Sequence, residues 1–162
     1  MKYCVFPGSF DPPTKGHLDL IRRAAGMFDR VTVAVMVNVA KEGLIPWEER
    51  VRMLEKACRD IPNVRVVLWK GLLADFVKQQ KKPAVVVRGV RNAAEYEHEA
   101  EAAAVNRMLC PGMETVLIPA SDGMGMVSSS TVREIAAFGG DYDFLIPEEI
   151  QQDIGRYLKN KK

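Results

Sequence analysis

With 162 residues and 48% hydrophobic content, the chain is long enough to bury one well-filled core and too short to carry a second full domain beside it. Its 23 basic and 21 acidic side chains leave a formal charge of +2, which excludes a broad nucleic-acid-binding surface, so attraction for phosphate has to come from locally placed Arg and Lys. Cys4, Cys58 and Cys110 lie in or beside apolar stretches without metal-ligand spacing, as buried reduced thiols do.

Taken in chain order, strand-like runs alternate with helical patterns. Residues 3–6 form the first strand, and Leu18, Ile21, Ala24, Ala25 and Phe28 then recur at helical spacing. A second strand, 31–37, is followed by a helix from about Pro46, with Glu48 and Glu49 near its positive end and Val51, Leu54, Ala57 and Cys58 as its buried stripe. Strand 64–69 precedes a helix at 72–80, strand 84–88 a longer helix at 93–109, and strand 115–119 a serine-rich turn. The apolar connection 142–147 leads to a final helical segment, about 147–159, in which Ile150, Ile154 and Leu158 recur every fourth residue. The strands are short and mostly apolar on both faces, which suits a parallel sheet covered by helices. The expectation is one α/β domain over 1–162, a Rossmann-like open five-stranded parallel sheet with helices on both faces.

Nothing in the chain reads as an export or anchoring signal. No basic segment followed by an apolar run opens it, and no apolar stretch approaches membrane-spanning length, so a cytoplasmic location without membrane partners is expected. The polar stretches at 79–82 and 159–162 read as solvated surface.

The chemistry concentrates after the first strand, in Tyr3-Cys4-Val5-Phe6-Pro7-Gly8-Ser9-Phe10-Asp11-Pro12-Pro13-Thr14-Lys15-Gly16-His17. A glycine lets backbone approach a ligand, a hydroxyl follows, and a second glycine precedes a histidine where the next helix begins, so N–H groups, Ser9 and His17 converge on one anion. There is no G-x-x-x-x-G-K-[ST] and Gly8 opens no G-x-G-x-x-G, which excludes the two commoner phosphate loops. Every other candidate follows a strand as well: Asn38 to Lys41, Gly71 to Leu73, Arg88 to Arg91 and Ser121 to Ser130. In an open parallel sheet that is where ligands collect.

At these residues the sequence resembles the nucleotidyltransferase superfamily with a G-[ST]-F-D-x-x-[HT]-x-G-H turn. Its nearest likeness is to bacterial phosphopantetheine adenylyltransferases, in which threonine replaces the first signature histidine, as Thr14 does here. The likeness includes Arg88-Gly89-Val90-Arg91 and Ser128-Ser129-Ser130-Thr131-Val132-Arg133 in the expected order. It implies transfer of AMP from ATP to 4′-phosphopantetheine, with dephospho-coenzyme A and pyrophosphate as products. Another phosphorylated acceptor such as nicotinamide mononucleotide, or a non-catalytic nucleotide-binding regulator, are the alternatives.

The resemblance also distributes roles. His17 stabilises charge on the α-phosphate, as a neutral or cationic imidazole, with Lys41 and Arg91 as further catalytic groups. ATP falls to Ser9, Phe10 (through its main chain), His17, Gly89, Val90, Arg91, Glu99, Met124, Gly125, Met126, Val127, Ser128, Ser129 and Ser130. One serine caps the following helix, and Ser129 or Ser130 lies nearest the triphosphate. The acceptor falls to Ser9, Lys41, Leu73 and Arg88. His98, where many relatives have tyrosine, reads as peripheral. No metal ligands are assigned: Mg2+ travels mainly on the ATP phosphates, with Asp11 and Glu134 as candidate outer-shell partners. The family is usually a hexamer, and the apolar region 138–146 is a candidate interface.

Overall fold

The computed structural model describes residues 2–40, 43–80 and 85–158. Five parallel strands, β1 (Tyr3–Gly8), β2 (Arg30–Val37), β3 (Val64–Lys70), β4 (Val85–Val90) and β5 (Glu114–Pro119), form one sheet in the order β3-β2-β1-β4-β5. Helices α1 (Lys15–Met27), α2 (Trp47–Ala57), α3 (Leu73–Gln79), α4 (Ala93–Leu109), α5 (Ser129–Ala137) and α6 (Gln151–Leu158) surround it. Two single 3-10 turns, Asp143–Leu145 and Glu148–Ile150, lead into α6.

The pleat of β1 divides the core in two. Cys4 and Phe6 face a cluster completed by Leu18, Ile21 and Ala24 of α1, Met53 and Leu54 of α2, and Ile154 and Leu158 of α6. Tyr3 and Val5 face the other side, against Ala74, Phe76 and Val77 of α3. Central strands buried on both faces cannot alternate polar and apolar residues, which is why their sequences are nearly continuous apolar runs. The expected Rossmann-like sheet is therefore the observed one, and α4 occupies the 93–109 span read from the sequence.

The connection 142–147 is mainly core. Tyr142, Leu145 and Ile146 are buried with Ile150, while Phe138 and Phe144 are exposed. The expected apolar interface over 138–146 thus reduces to two phenylalanines, because the 3-10 turns fold the remaining apolar side chains inward against α6.

Candidate active site

Strand order reverses between β1 and β4, and a cleft of roughly 380 Å³ opens there outside the carboxyl ends of both strands. The β1–α1 turn forms its floor, the end of β4 and the first turns of α4 one wall, and the β5–α5 loop with the start of α5 the other.

The turn owes its shape to Gly8 and Phe10. Phe10 adopts a positive φ of 51° and its ring is buried. A Cβ on Gly8 would lie 2.9 Å from that ring, so glycine is required for the ring to fold beneath the strand end. The Phe10 ring meets His17 edge-on, with centroids 4.9 Å apart.

Helix α1 begins with a reciprocal cap. The Thr14 hydroxyl accepts from the His17 amide at 3.3 Å, and the Thr14 amide donates to Nδ1 of His17 at 3.1 Å. Histidine here does what Glu or Gln does in an ordinary capping box. Because Nδ1 accepts a backbone N–H, a neutral imidazole carries its proton on Nε2. Burial lowers the His17 pKa from 6.5 to about 4, assisted by the positive charges of Arg88 and Arg91. Of the two protonation states left open by the sequence, the structure favours the neutral one.

Both predicted arginines line the cleft, each held by a carboxylate of α4. Arg88 donates through Nε and Nη2 to Glu99 at 2.8 and 2.6 Å, and through Nη1 to the Pro7 carbonyl at 2.6 Å. Arg91 makes a two-pronged pair with Glu95, whose pKa it lowers chiefly by side-chain hydrogen bonding. Glu99 does line the cleft, yet both its oxygens are directed at Arg88. A bidentate pair of this kind fixes the plane of the guanidinium.

The serine run divides its work. Ser128 is the N-cap of α5, accepting from the Thr131 amide at 3.0 Å. The Ser129 hydroxyl donates to the Pro12 carbonyl at 2.7 Å, which leaves Ser130, exposed and within 3.2 Å of an Arg133 nitrogen, as the hydroxyl best placed for a ligand. The first turns of α1 and α5 both contribute lining residues, so the positive ends of two helix dipoles meet the cleft.

Ser9, Gly89, Val90, Met124 and Val127 also line it, as the sequence indicated. Phe10, Gly125 and Met126 adjoin lining residues in the chain without lining the cleft themselves. Leu73 does not reach it, packing instead against the α3-side core with Met36 and Trp69. Lys41 lies outside the described residues. His98, exposed on α4, is among the residues that line the cleft, beside Glu95 and Glu99. Asp11 is not free to serve a metal, since its carboxylate accepts the Leu44 and Ile45 amides at 2.9 and 3.0 Å. Glu134 is exposed on α5 and is not part of the cleft lining. Among the described residues no group of three or more His, Cys, Asp or Glu could hold a metal ion, and no helix is long and apolar enough to cross a membrane.

Sequence reasoning missed Arg133, a cleft-lining guanidinium that also donates to the Asp11 carbonyl at 2.7 Å, and it missed Glu95. Helical spacing carried both signals. Arg133 stands four residues after Ser129, and Glu95 four after Arg91, each on the same helix face or turn.

A family model described as cytidylyltransferase-like matches residues 5–135. The phosphopantetheine adenylyltransferase of Clostridium kluyveri is 45% identical over 154 residues, covering 95% of this chain and 93% of the relative. Those of Clostridium perfringens and Clostridium botulinum are 44% and 43% identical, the latter over 100% of this chain and 98% of the relative. With its signature turn, its two arginines and its serine run gathered in one cleft, the chain belongs to the cytidylyltransferase-like family and, within it, to the phosphopantetheine adenylyltransferases.

Proposed function

We propose that the cleft binds ATP and 4′-phosphopantetheine together and transfers AMP between them, the adenylyl-transfer step that yields dephospho-coenzyme A. An oxygen of the acceptor phosphate attacks the α-phosphorus in line, and the bond to the bridging oxygen breaks, releasing pyrophosphate. The nucleophile is already largely ionised at neutral pH, so positioning and charge stabilisation carry the rate. The observation that carries this reading is the convergence of His17, Arg88 and Arg91 on one cleft, with a neutral imidazole whose Nε2–H is available.

In this reading Nε2–H of His17 donates to an α-phosphate oxygen as charge accumulates there. Arg88, its plane set by Glu99, orients the acceptor phosphate together with Ser9. Arg91, Ser130 and the amino-terminal turn of α5 take the β- and γ-phosphates, while Gly89, Val90, Met124 and Val127 line the nucleotide side. Lys41 is assigned to the acceptor phosphate and Leu73 to the pantetheine arm on the strength of the motif match alone. Mg2+ is carried by the triphosphate and water, and Asp11, engaged by Leu44 and Ile45, contributes nothing to it directly.

A cytoplasmic homohexamer is part of the same reading. Exposed Tyr96, Val105, Met108 and Leu109 on α4, with Val116 on the edge strand β5, provide apolar surface that self-association would cover. Light scattering on the purified protein measures the assembly.

The function is tested by following pyrophosphate release with magnesium-ATP, comparing 4′-phosphopantetheine, nicotinamide mononucleotide and no acceptor. Release that requires 4′-phosphopantetheine and yields dephospho-coenzyme A supports the reading. Release with the other acceptor alone overturns the substrate, and ATP binding without any release favours a regulator.

A further inference from the structure

Among the described residues the most buried charged side chain is Arg50, and it stands outside the cleft lining. The Arg50 side chain is 1% exposed, yet it belongs to α2, which contributes nothing to the cleft lining. Its charge is met by Asp11 at 3.5 Å and by the Trp47 ring, 3.8 Å from the guanidinium carbon. Two of its N–H groups go to carbonyls, Nε to Ile45 at 2.8 Å and Nη1 to Ser9 at 2.9 Å. Asp11 faces the same loop, accepting the amides of Leu44 and Ile45. The loop is pressed against the pair, since a Cβ on Gly43 would fall 1.7 Å from Nη2 of Arg50 and 3.0 Å from Oδ2 of Asp11.

A buried ion pair is weak evidence of stability, because desolvation offsets most of the attraction. What this pair does is geometric. Its bonds join two separate segments, the β1–α1 turn at Ser9 and Asp11 and the loop entering α2 at Leu44 and Ile45. The other side of the turn has its own anchors, Arg133 on the Asp11 carbonyl and Ser129 on the Pro12 carbonyl, and both come from α5. The Asp11 side chain therefore faces the loop after β2 while its main chain faces the nucleotide wall.

We infer that the Asp11–Arg50 pair is a positioning latch for adenylyl transfer, locking the loop entering α2 to the Ser9 turn so that the acceptor phosphate is aligned independently of ATP binding. The inference rests on the proposed function for its substrate, though not for its geometry. A misplacement of a reacting group by about 1 Å costs on the order of a hundredfold in rate, so a modest loosening is measurable.

Asp11→Asn keeps the shape of the side chain but replaces one acceptor by an N–H2 donor, so the amides of Leu44 and Ile45 cannot both be satisfied. Gly43→Ala strains the same contact without altering a polar group. Each variant is compared with wild type by thermal melting, amide hydrogen exchange at Leu44 and Ile45, ATP titration, and kinetics with magnesium-ATP and 4′-phosphopantetheine. The latch predicts lost protection at those two amides, kcat/KM for the acceptor down about tenfold or more, and ATP affinity within about twofold in variants that melt cooperatively. Unchanged protection, an unchanged acceptor kcat/KM, or a parallel loss of ATP affinity would each overturn it. If wild-type protein releases no pyrophosphate with this acceptor, the proposed substrate fails. Amide protection lost in Asp11→Asn with intact ATP affinity still supports the latch in that event, and retained protection still overturns it.

Discussion

The amide of Thr14 donates to Nδ1 of His17 at 3.1 Å, so one hydrogen bond both caps a helix and sets the tautomer of the imidazole that faces the cleft. The relationship explains why threonine serves at this signature position. Its hydroxyl closes the cap on the His17 amide while its own N–H orients the ring.

The pH dependence of stability follows from the desolvation of this half-buried ring. The folded-state pKa of His17, about 4, lies below the ordinary 6.5, so between these values the unfolded chain holds a proton that the native chain does not. Native stability contributed by this residue therefore falls as pH drops from 6.5 towards 4, and the residue makes no difference above that window. His17→Gln keeps a side-chain acceptor for the Thr14 amide and removes the titration. Urea unfolding should show wild type losing about 1–3 kcal/mol more than His17→Gln between pH 7 and pH 4.5. Parallel curves would show that the ring is not buried neutral.

Glu99 offers a sharper separation of roles. Both its oxygens hold Arg88, so Glu99→Gln should disturb the acceptor and spare the nucleotide. The expected result is an acceptor KM raised about tenfold with ATP affinity within about twofold, since the interaction lost is a charge-assisted bidentate pair. Steady-state kinetics with each substrate varied in turn decide it. A loss confined to ATP would restore Glu99 to the nucleotide as a direct contact.

Close packing between β4 and α1 predicts a stability effect that a second substitution relieves. A Cβ on Gly89 would lie 2.2 Å from Cδ1 of Leu20. Because the atom met is the far end of the partly buried Leu20 side chain, which can turn aside, Gly89→Ala should cost about 1 kcal/mol, and the double variant with Leu20→Ala should lose less than the sum of the two single changes. A double-mutant cycle on urea midpoints measures the coupling. Strict additivity would mean that the two positions do not press on each other.

Much of this architecture was legible in the chain. Apolar or β-branched runs marked the five strands, most completely the central β1 and β2, which are buried on both faces, and the stripe at Leu18, Ile21 and Ala24 marked α1 because helical spacing did. Gly8, Ser9, Arg88, Arg91 and His17 could be grouped because each follows the end of a strand-like run, whereas the sheet order that brings them to one reversal came from the family resemblance and is seen in the structure. What could not be read was tertiary pairing. Nothing in the sequence separates Arg50 from the other charges of α2, because its burial depends on Asp11 and on the Ser9 and Ile45 carbonyls, and the same pairing is what engages Asp11, read from the sequence as an outer-shell metal partner. Leu73 was placed by its motif position alone; its side chain does not line the cleft and packs against the cluster that Trp69 and Met36 also meet.

The most direct test of the account is the turnover of His17→Ala with saturating magnesium-ATP and 4′-phosphopantetheine, measured beside ATP affinity. If Nε2–H of His17 stabilises charge that appears only in the transition state, turnover should fall by about 10²–10³ while ATP affinity stays within about threefold of wild type. Turnover equal to that of wild type would contradict the assignment of His17 to the α-phosphate and, with it, the chemistry proposed for the cleft.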